Sequence, residues 1–290
     1  MNSSSPVDAA FPRYPRVVKP AKAIVVLPAY NEEQHIAPLL EKIDDALQQQ
    51  NIAYQVIVVD DGSVDGTLAA VERYRERVPV SVHRHQVNQG LGRTIRDGLR
   101  VASEMASGED IVITMDADET HVPDLIPRML QMIHEGRDVV IASRYQTGAC
   151  VIGVSLLRRT LSYGASLLFR AVFPTRGVRD FTCGYRAYRA SVLRLAVASY
   201  GDNFVATGGF ECMVDLLLTL RSMQVVFGEV PIVLRYDFKQ GASKMQIAKT
   251  IRRSLAVLIR HRFSRAASPS GEGSGSAVSP AQAKRHSSGS

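Results

Sequence analysis

The chain has 290 residues, 46% of them hydrophobic, which is enough to bury the core of one large domain or of two small ones. No stretch approaches about 18 uninterrupted apolar residues, so we expect no transmembrane helix. The formal net charge is +7, and seven Lys and Arg residues without any Asp or Glu lie between positions 244 and 265. On charge alone, such a stretch suits nucleic acid, anionic lipid or a phosphorylated ligand equally well.

Composition divides the chain into three parts. Residues 1–20 lack the apolar centre of a secretory signal and are expected to be a flexible segment. Residues 21–263 are expected to form a single domain, and the Ser- and Gly-rich residues 264–290 a disordered tail. Three cysteines, odd in number and far apart, favour reduced thiols and a cytoplasmic location over disulfides or a zinc site.

Short, unbroken runs of apolar and β-branched residues predict strands along the first half of the chain. These runs are residues 23–27, 55–59, 78–84, 110–114 and 138–142. Amphipathic stretches typical of helices lie between them at 33–49, 64–77, 92–106 and 123–135. Strands that are apolar on both faces belong in a parallel sheet covered by helices, so the sequence predicts an α/β fold.

Acidic residues directly follow three of these strands. The segments are PAYNEE (28–33), DDGSVDGT (60–67) and DADETH (116–121). Ligands of parallel sheets bind outside the carboxyl ends of the strands, so these acids are expected to face one ligand site. For any one of them a turn or a helix N-cap is the structural alternative, because Asp is common at both.

Carboxylates repel a phosphate, but they accept hydrogen bonds from a nucleobase or a ribose and they bind hard cations. Asp116 and Asp118 could hold Mg²⁺ or Mn²⁺, which would take further oxygens from a diphosphate. The chain has neither GxxxxGK[ST] nor GxGxxG, which argues against P-loop and dinucleotide sites. The pattern therefore predicts a metal-bridged nucleoside diphosphate. Five histidines show no metal-ligand spacing and are interpreted as surface or packing residues: His35, His83, His85, His121 and His134.

Seven motifs occur in order over about residues 24–263. They are VVLPAYNEE, VIVVDDGSVDGT, NQGLGRTIRDG, TMDADETHVP, ASRY, RDFTCGYRAYR and LRYDFKQGASKM. Together they resemble a family 2 inverting glycosyltransferase with the GT-A fold, a Rossmann-like, mostly parallel sheet flanked by helices. The most similar branch is that of the polyprenol- or dolichol-phosphate mannose synthase-like enzymes. The resemblance implies a nucleotide-sugar donor, Mg²⁺ or Mn²⁺, a polyprenyl phosphate acceptor and no nucleic-acid partner.

The same resemblance implies roles for individual residues. The nucleotide pocket is matched by Pro28, Tyr30 and Glu32, and the contacts to base and ribose by Val59 and Asp61. The family's DxD element, which binds nucleotide and metal, is matched by Asp116, Ala117 and Asp118. The arginine that faces the diphosphate is matched by Arg144, and a lysine that reaches the phosphates by Lys244. The positions that hold the acceptor phosphate are matched by Arg158 and Ser162.

Two positions depart from the family pattern. Thr120 stands where a Gln usually helps to bind the metal, so its hydroxyl, Glu119 or a water completes the ligand set. Phe238 stands where the mannose synthases carry Arg, with Arg235 and Lys239 nearby, so the sugar and the base remain open.

The chemistry of the acceptor decides which side chains the transfer needs. A phosphate monoester is already anionic at neutral pH, because its second pKa is about 6, whereas a sugar hydroxyl needs a general base. Candidates for a cationic cradle are Arg158, Arg159 and Arg179, unless these side chains only cover a solvated helix face. Asp180 is structural, a nucleotide-side acid or an acceptor-side base. Glu211 is equally open, and Arg186 is a candidate partner for either acid.

Residues 243–263 place apolar side chains at helical spacing, which predicts a C-terminal amphipathic basic helix. This helix packs on its own domain or lies on a membrane surface, and the helical stretch 154–173 is a second candidate for that surface. Three hypotheses follow. The first is a peripheral synthase of a polyprenyl-phosphate sugar at the inner, cytoplasmic face of a membrane. The second is transfer to a soluble or saccharide hydroxyl, and the third is a non-catalytic protein that binds nucleotide or lipid.

Overall fold

A seven-stranded sheet organises the computed structural model, which describes residues 21–153, 156–235, 253 and 256–261. Its strands are β1 (Ala23–Ala29), β2 (Tyr54–Asp60), β3 (Val80–Arg84), β4 (Ile111–Thr114), β5 (Val139–Ser143), β7 (Arg186–Arg189) and β8 (Phe227–Pro231). A small second sheet pairs β6 (Cys150–Ile152) with β9 (Val233–Arg235). The α-helices are α1 (Ile36–Gln48), α2 (Thr67–Glu72), α3 (Leu91–Met105), α4 (Ile126–His134), α5 (Leu156–Val172), α6 (Ala190–Tyr200) and α7 (Cys212–Ser222).

The large sheet is mostly parallel, in the order β3-β2-β1-β4-β7-β5-β8. All five predicted strands are confirmed, and their buried side chains supply the centre of the core. Strand β7 was not predicted and runs antiparallel to both β4 and β5. Its sequence, RAYR, begins and ends with Arg and so lacks the apolar run that marks the other central strands.

Helix α3 packs closely on the sheet because Gly98 lies at the point of contact. A Cβ atom at this position would lie 2.6 Å from Val26 Cγ1 and 2.8 Å from Val59 Cγ2. Both distances are too short for a side chain, so the backbone of α3 lies directly over β1 and β2. This packing fixes where the loop before α3 meets the ends of those strands.

Three predicted helices, α1, α2 and α4, begin later than their amphipathic patterns suggest. The carboxylate of Asp65 accepts hydrogen bonds from Thr67 N (3.0 Å) and Thr67 Oγ1 (2.5 Å). This local turn delays helix α2 to Thr67. A 3₁₀ turn, Pro123–Leu125, likewise precedes α4.

The C-terminal part of the domain is described only at residue 253 and at the helical residues 256–261. There Val257 and Leu258 are buried while Ile259 is exposed, as an amphipathic helix requires. The remainder of the predicted basic helix lies outside the described residues, as do the N-terminal segment 1–20, the tail 264–290, Phe238 and Lys239. No helix among the described residues has the length and apolar character to cross a membrane.

Candidate active site

The three acidic segments predicted from the sequence follow neighbouring strands. Strands β2, β1 and β4 are adjacent and mutually parallel, so their carboxyl ends lie side by side at one edge of the sheet. The expectation that these segments flank one ligand site is therefore consistent with the topology.

The loops after β1 and β2 are tied to each other. Asn31, with a left-handed φ of 54°, donates its backbone N–H to Ser63 Oγ (3.0 Å), and its side-chain Oδ1 accepts from Val64 N (3.0 Å). Glu32 N donates to Thr67 Oγ1 (2.8 Å). The nucleotide-pocket candidates therefore lie at a strand end and loop whose backbone is held by hydrogen bonds to the residues after β2.

The exposure of these candidates separates two groups. Pro28, Tyr30 and Glu32 are partly exposed at the strand ends, where a ligand can reach them. Val59, in contrast, is fully buried beneath Gly98. The side chain of Val59 therefore belongs to the core, and the base contact implied for this residue remains a prediction.

Asp61 is buried and already accepts several hydrogen bonds from the protein. Its Oδ1 lies 2.8 Å from His85 Nδ1 and accepts from Gln89 N (2.8 Å), while its Oδ2 accepts from Gly90 N (2.9 Å). The carboxylate thus shapes the loop at 85–90 that leads into α3. Its contact to ribose or base remains a prediction.

The loop after β4 carries the two carboxylates of the DAD motif. The side chain of Asp116 is 48% exposed, whereas Asp118 is nearly buried. Asp118 Oδ1 accepts hydrogen bonds from Thr120 Oγ1 (2.6 Å) and Thr120 N (3.2 Å). Glu119 has a left-handed φ of 58° and its side chain forms an ion pair with Lys42. Thr120 therefore orients the Asp118 carboxylate, while Glu119 is engaged elsewhere.

This donor set fits a hard divalent cation. Carboxylate oxygens from Asp116 and Asp118 are ligands that Mg²⁺ and Mn²⁺ accept, with waters or phosphate oxygens completing the shell. Ala117 between them is buried and packs into the core. The metal role of Asp116, Asp118 and Thr120 stays a prediction that these oxygens support.

His121 helps to hold the loop after β4 in place. Its Nδ1 accepts a hydrogen bond from Asp116 N (3.0 Å), its ring stacks on Tyr185 at 5.0 Å, and the residue is buried. The interpretation of His121 as a packing residue agrees with these contacts.

Arg144, at the end of β5, is held by a buried carboxylate. Its Nε donates to Asp180 Oδ2 (2.8 Å) and its Nη2 to Asp180 Oδ1 (2.7 Å). Burial on its own would lower the pKa of Arg144 and raise the pKa of Asp180. The mutual attraction of the pair outweighs burial, so the pKa of Arg144 is raised and that of Asp180 is lowered. The guanidinium is therefore a fixed cation, and its side chain remains 22% exposed.

The surroundings of Asp180 favour the structural alternative for this residue. It is fully buried and accepts further hydrogen bonds from Arg144 N (3.1 Å), Thr182 N (3.2 Å) and Cys183 N (3.1 Å). A carboxylate whose pKa is lowered and whose oxygens face these donors is poorly suited to remove a proton. Asp180 is thus a positioning residue for Arg144.

Arg186 does not pair with either acid proposed as its partner. It is fully buried on β7 and donates three hydrogen bonds of 2.8 Å to the main-chain carbonyls of Cys183, Met213 and Phe181. The expectation of an Arg186–acid pair is corrected, because main-chain oxygens satisfy the guanidinium. Glu211 is instead buried at the start of α7, with Oε1 3.9 Å from Arg253 Nη1.

Tyr145 connects Arg144 to helix α5, a role that was not predicted from the sequence. Its hydroxyl lies 2.7 Å from Ser162 Oγ and donates to Ser162 O (2.9 Å), and Arg144 lies over its ring at 5.6 Å. Arg179 Nη1 donates to Tyr145 O (3.4 Å). The structure therefore brings Ser162 and Arg179 into contact with Tyr145, the chain neighbour of Arg144. In the sequence, the feature that could have pointed to Tyr145 is its position directly after Arg144 in the ASRY motif.

Two other predicted residues are not described at the level of the side chain. Arg158 lies in the first turn of α5, and its side chain is outside the described part of the chain, as is that of Arg159. Lys244 lies wholly outside it. Their roles remain predictions from the sequence.

A cluster of His83, His85 and Asp97 lies beside Asp61. Ligand atoms of the three residues all lie within 4.8 Å of one another, and His85 and Asp97 are buried. The expectation that the histidines show no pairing at metal-ligand spacing is therefore corrected for His83 and His85. The signal in the sequence was the spacing of two residues on a strand, which places both imidazoles on one face.

Comparison with protein families and curated proteins gives a consistent result. Residues 24–195 match the model of glycosyl transferase family 2. Polyprenol monophosphomannose synthase from Mycolicibacterium smegmatis is 32% identical over 235 residues, covering 80% of this chain and 84% of that protein. Undecaprenyl-phosphate mannosyltransferase from Micrococcus luteus is 32% identical over 225 residues, covering 77% and 87%. Dolichol-phosphate mannosyltransferase from Pyrococcus furiosus is 33% identical over 231 residues, 79% of this chain, but the match spans only 60% of that longer relative.

Solved structures support the fold. Glucosyl-3-phosphoglycerate synthase from Mycobacterium tuberculosis, in complex with phosphoglyceric acid, superposes with a TM-score of 0.60 at 19% identity, covering 83% of this chain and 80% of that one. The same enzyme in complex with Mn²⁺, uridine diphosphate and glucosyl-3-phosphoglycerate gives a TM-score of 0.59 at 20% identity, covering 83% and 80%. The predicted GT-A architecture is confirmed.

Proposed function

Because the chain belongs to glycosyl transferase family 2 and is therefore a glycosyltransferase, we propose that it transfers a sugar from a nucleoside-diphosphate sugar to a polyprenyl phosphate, with inversion at the anomeric carbon. Two relatives, of which the match covers 84% and 87%, are a polyprenol monophosphomannose synthase and an undecaprenyl-phosphate mannosyltransferase. The observation that carries the proposal is the position of Arg144. It is a fixed, partly exposed cation joined through Tyr145 to Ser162 on α5.

The donor edge, defined here as Asp61, Asp116 and Asp118, suits the nucleotide half of the substrate. Asp61 fixes the loop at 85–90, and the partly exposed Tyr30 and Glu32 lie on the neighbouring strand end. Asp116 and Asp118 would hold Mg²⁺ or Mn²⁺, which, when bound, neutralises charge that develops on the departing diphosphate. Thr120 keeps the Asp118 carboxylate in one orientation for that task.

Arg144 contributes a positive charge that does not depend on the pH near neutrality. As the bond to the diphosphate breaks, negative charge grows on the leaving oxygen, and a preorganised cation stabilises that state more than the ground state. Asp180 supplies the preorganisation because it holds the guanidinium through two side-chain hydrogen bonds.

The acceptor side, defined here as Arg144, Tyr145 and Ser162, suits an acceptor that is already an anion. An attacking phosphate oxygen needs no general base, and Asp180, the acid in contact with Arg144, is engaged by protein donors. Arg158, one helical turn before Ser162, would add a second cation there. The alternative of a hydroxyl acceptor with Asp180 as its base loses support for this reason.

A lipid-borne acceptor also requires contact with a membrane surface. On α5, Tyr163, Leu167 and Leu168 are 57%, 52% and 43% exposed, and their four- and five-residue spacing places them on one broad helix face. We propose that this face rests on the inner, cytoplasmic leaflet, next to the acceptor side.

The proposal is tested by assaying a panel of nucleotide sugars with and without polyprenyl phosphate. We expect sugar transfer to the lipid with one preferred nucleotide sugar, dependent on Mg²⁺ or Mn²⁺. Donor hydrolysis or transfer to a free saccharide, without transfer to the lipid phosphate, would overturn it.

A further inference from the structure

Two histidines and an aspartate converge at the edge of the sheet, away from the DAD loop. His83 lies on the edge strand β3, and His85 N continues the same ladder by donating to Asp60 O (2.8 Å). Residues two apart on a strand share a face, so both imidazoles point the same way. Asp97, on α3, faces them, and ligand atoms of all three residues lie within 4.8 Å of one another.

The hydrogen bonding of His85 leaves one of its nitrogens facing an acceptor. Its Nδ1 lies 2.8 Å from the Asp61 carboxylate, which can only accept, so Nδ1 carries the proton. In the neutral imidazole, Nε2 then presents a lone pair. This nitrogen lies 3.3 Å from Asp97 Oδ2, is buried, and makes no hydrogen bond within the described part of the chain.

Two arginines bind one carboxylate oxygen of Asp97 and leave the other, Oδ2, directed at His85. Arg96 Nε and Arg100 Nη2 donate to Oδ1, at 3.1 and 3.0 Å. Asp97 Oδ2 therefore faces His85 Nε2 at a distance of 3.3 Å. A carboxylate oxygen and an imidazole nitrogen at this separation can both bind one cation placed between them.

We propose that His83, His85 and Asp97 form a second metal site that takes a divalent first-row transition metal of the Zn²⁺ type. Two imidazole nitrogens and one carboxylate oxygen suit zinc, whereas Mg²⁺ prefers oxygen ligands throughout. Asp61 supplies the outer carboxylate that orients a metal-binding histidine. His83 is only partly buried on an edge strand, so it can move the short distance that metal coordination at about 2.0–2.1 Å requires.

Occupation of this site would stiffen the donor edge. The metal would join β3 to α3 through side chains on both, and it would fix His85 against Asp61. Asp61 in turn holds Gln89 and Gly90 at the entrance to α3. The inference is independent of the acceptor, because none of the three ligands belongs to the acceptor side.

The test uses the full chain, stripped of metal with a chelator and titrated with Zn²⁺, with Co²⁺ as a coloured probe. We expect one high-affinity Zn²⁺ per chain and a Zn²⁺-dependent rise in Tm. We also expect Co²⁺ to give the visible absorption bands of a low-coordinate nitrogen and oxygen site. His83→Ala and Asp97→Asn should each weaken Zn²⁺ binding at least about 10- to 100-fold.

Matched variants separate this site from other metal binding. His134→Ala removes an exposed histidine outside the cluster and should leave Zn²⁺ affinity unchanged, as should Asp118→Asn in the DAD loop. Circular dichroism of the metal-free variants shows whether they fold. Zn²⁺ affinity that is the same in wild type and His83→Ala, or that is lost in Asp118→Asn, would overturn the proposal. Octahedral-type Co²⁺ spectra of the wild-type chain would overturn it even if both cluster variants misfolded.

Discussion

The donor edge and the acceptor side are built from the sequence in different ways. At the donor edge, the acids follow the parallel strands β2 and β4, which lie on either side of β1, so topology alone places the acids near one another. On the acceptor side, Arg144 and Ser162 come from separate segments. They are joined by the contact of Tyr145 with Ser162, and Arg144 is held by its long-range ion pair with Asp180. Position in the fold therefore determines the first region, and hydrogen-bonding partners determine the second.

This difference has an energetic consequence. At the donor edge, Asp116 and Asp118 lie in a loop that His121 also holds through Asp116 N, so replacing either carboxylate should remove chemistry and spare the fold. The acceptor side depends on a buried ion pair, and breaking such a pair costs stability as well as function. The following variants test that contrast, from the largest expected effect to the smallest.

Asp118→Asn should lower transfer by at least about 10²–10³-fold, because it removes a charged ligand without removing volume. A chelator should reproduce the loss with the wild-type enzyme. The measurement is the initial rate of sugar transfer, with thermal unfolding as the check on folding. Asp124→Asn is the matched control, since Asp124 is exposed in the 3₁₀ turn just beyond the loop. Full activity of Asp118→Asn would remove the metal role from the donor edge.

Asp180→Asn should destabilise the protein by about 3–5 kcal/mol, because it leaves the guanidinium of Arg144 without its buried counter-charge. Transfer should fall as well, since Arg144 loses its fixed orientation. Urea unfolding measures the first effect and acceptor saturation the second. The control is Asp202→Asn, whose side chain is 66% exposed and pairs with Arg100, and which should change stability by less than about 0.5 kcal/mol. A variant with wild-type stability but no activity would instead point to Asp180 as a base.

Tyr145→Phe should weaken use of the acceptor by about 2- to 13-fold, which corresponds to the loss of a hydrogen bond of about 0.5–1.5 kcal/mol. The hydroxyl contacts Ser162, so Ser162→Ala should act in the same direction. The measurement is KM for the polyprenyl phosphate beside the affinity for the nucleotide sugar, which should not change. Tyr200→Phe is the control, because it removes a similar contact, 2.8 Å between the Tyr200 hydroxyl and Ser222 Oγ, away from both regions. An equal loss of donor affinity would contradict the separation of the two regions.

We expect Asp215 to make the free energy of unfolding depend on pH, with an effect smaller than those of the variants above. Burial raises its pKa, but hydrogen bonds from His261 and Arg260 outweigh burial, so the pKa of Asp215 is lowered. A lowered folded pKa means that the unfolded chain binds the proton first as the pH falls. The contribution is therefore complete above about pH 3.9 and is lost as the pH falls through the lower folded pKa.

Asp215→Asn should accordingly flatten the pH dependence of the free energy of unfolding below about pH 4. Urea titrations at a series of pH values measure this slope. Because Asp215 Oδ1 pairs with Arg260 and His261, the variant reports on the attachment of residues 256–261 to the body of the domain. An unchanged slope would mean that the interaction between Asp215 and this helical segment contributes nothing to folding.

Much of the fold could be predicted because it is written in local patterns. The central parallel strands are continuous apolar runs, and the acids after β1, β2 and β4 follow them directly. Strand β7 escaped prediction because its first residue, Arg186, is charged. Three main-chain carbonyls explain how that side chain can be buried, and one of them, that of Met213, lies 27 residues away along the chain.

The site was predictable to the same extent. Asp116 and Asp118 could be found from their position after a strand, but the His85–Asp61 and Tyr145–Ser162 contacts span 24 and 17 residues with no repeating pattern between them. The role of Asp180 was also left open by the sequence. Its burial and its hydrogen-bond donors, which favour a structural role, are properties of the folded chain.

The acceptor itself offers the most direct test of the account. Initial rates should be compared for a polyprenyl phosphate and for the polyprenol of the same chain length, at saturating nucleotide sugar and divalent metal. If fixed cations position an acceptor that is already anionic, the phosphate should react and the neutral alcohol should be slower by at least about 10²-fold, because Asp180, engaged by protein donors, is poorly suited to activate it. Equal rates with the two lipids, or transfer to the alcohol alone, would contradict the account.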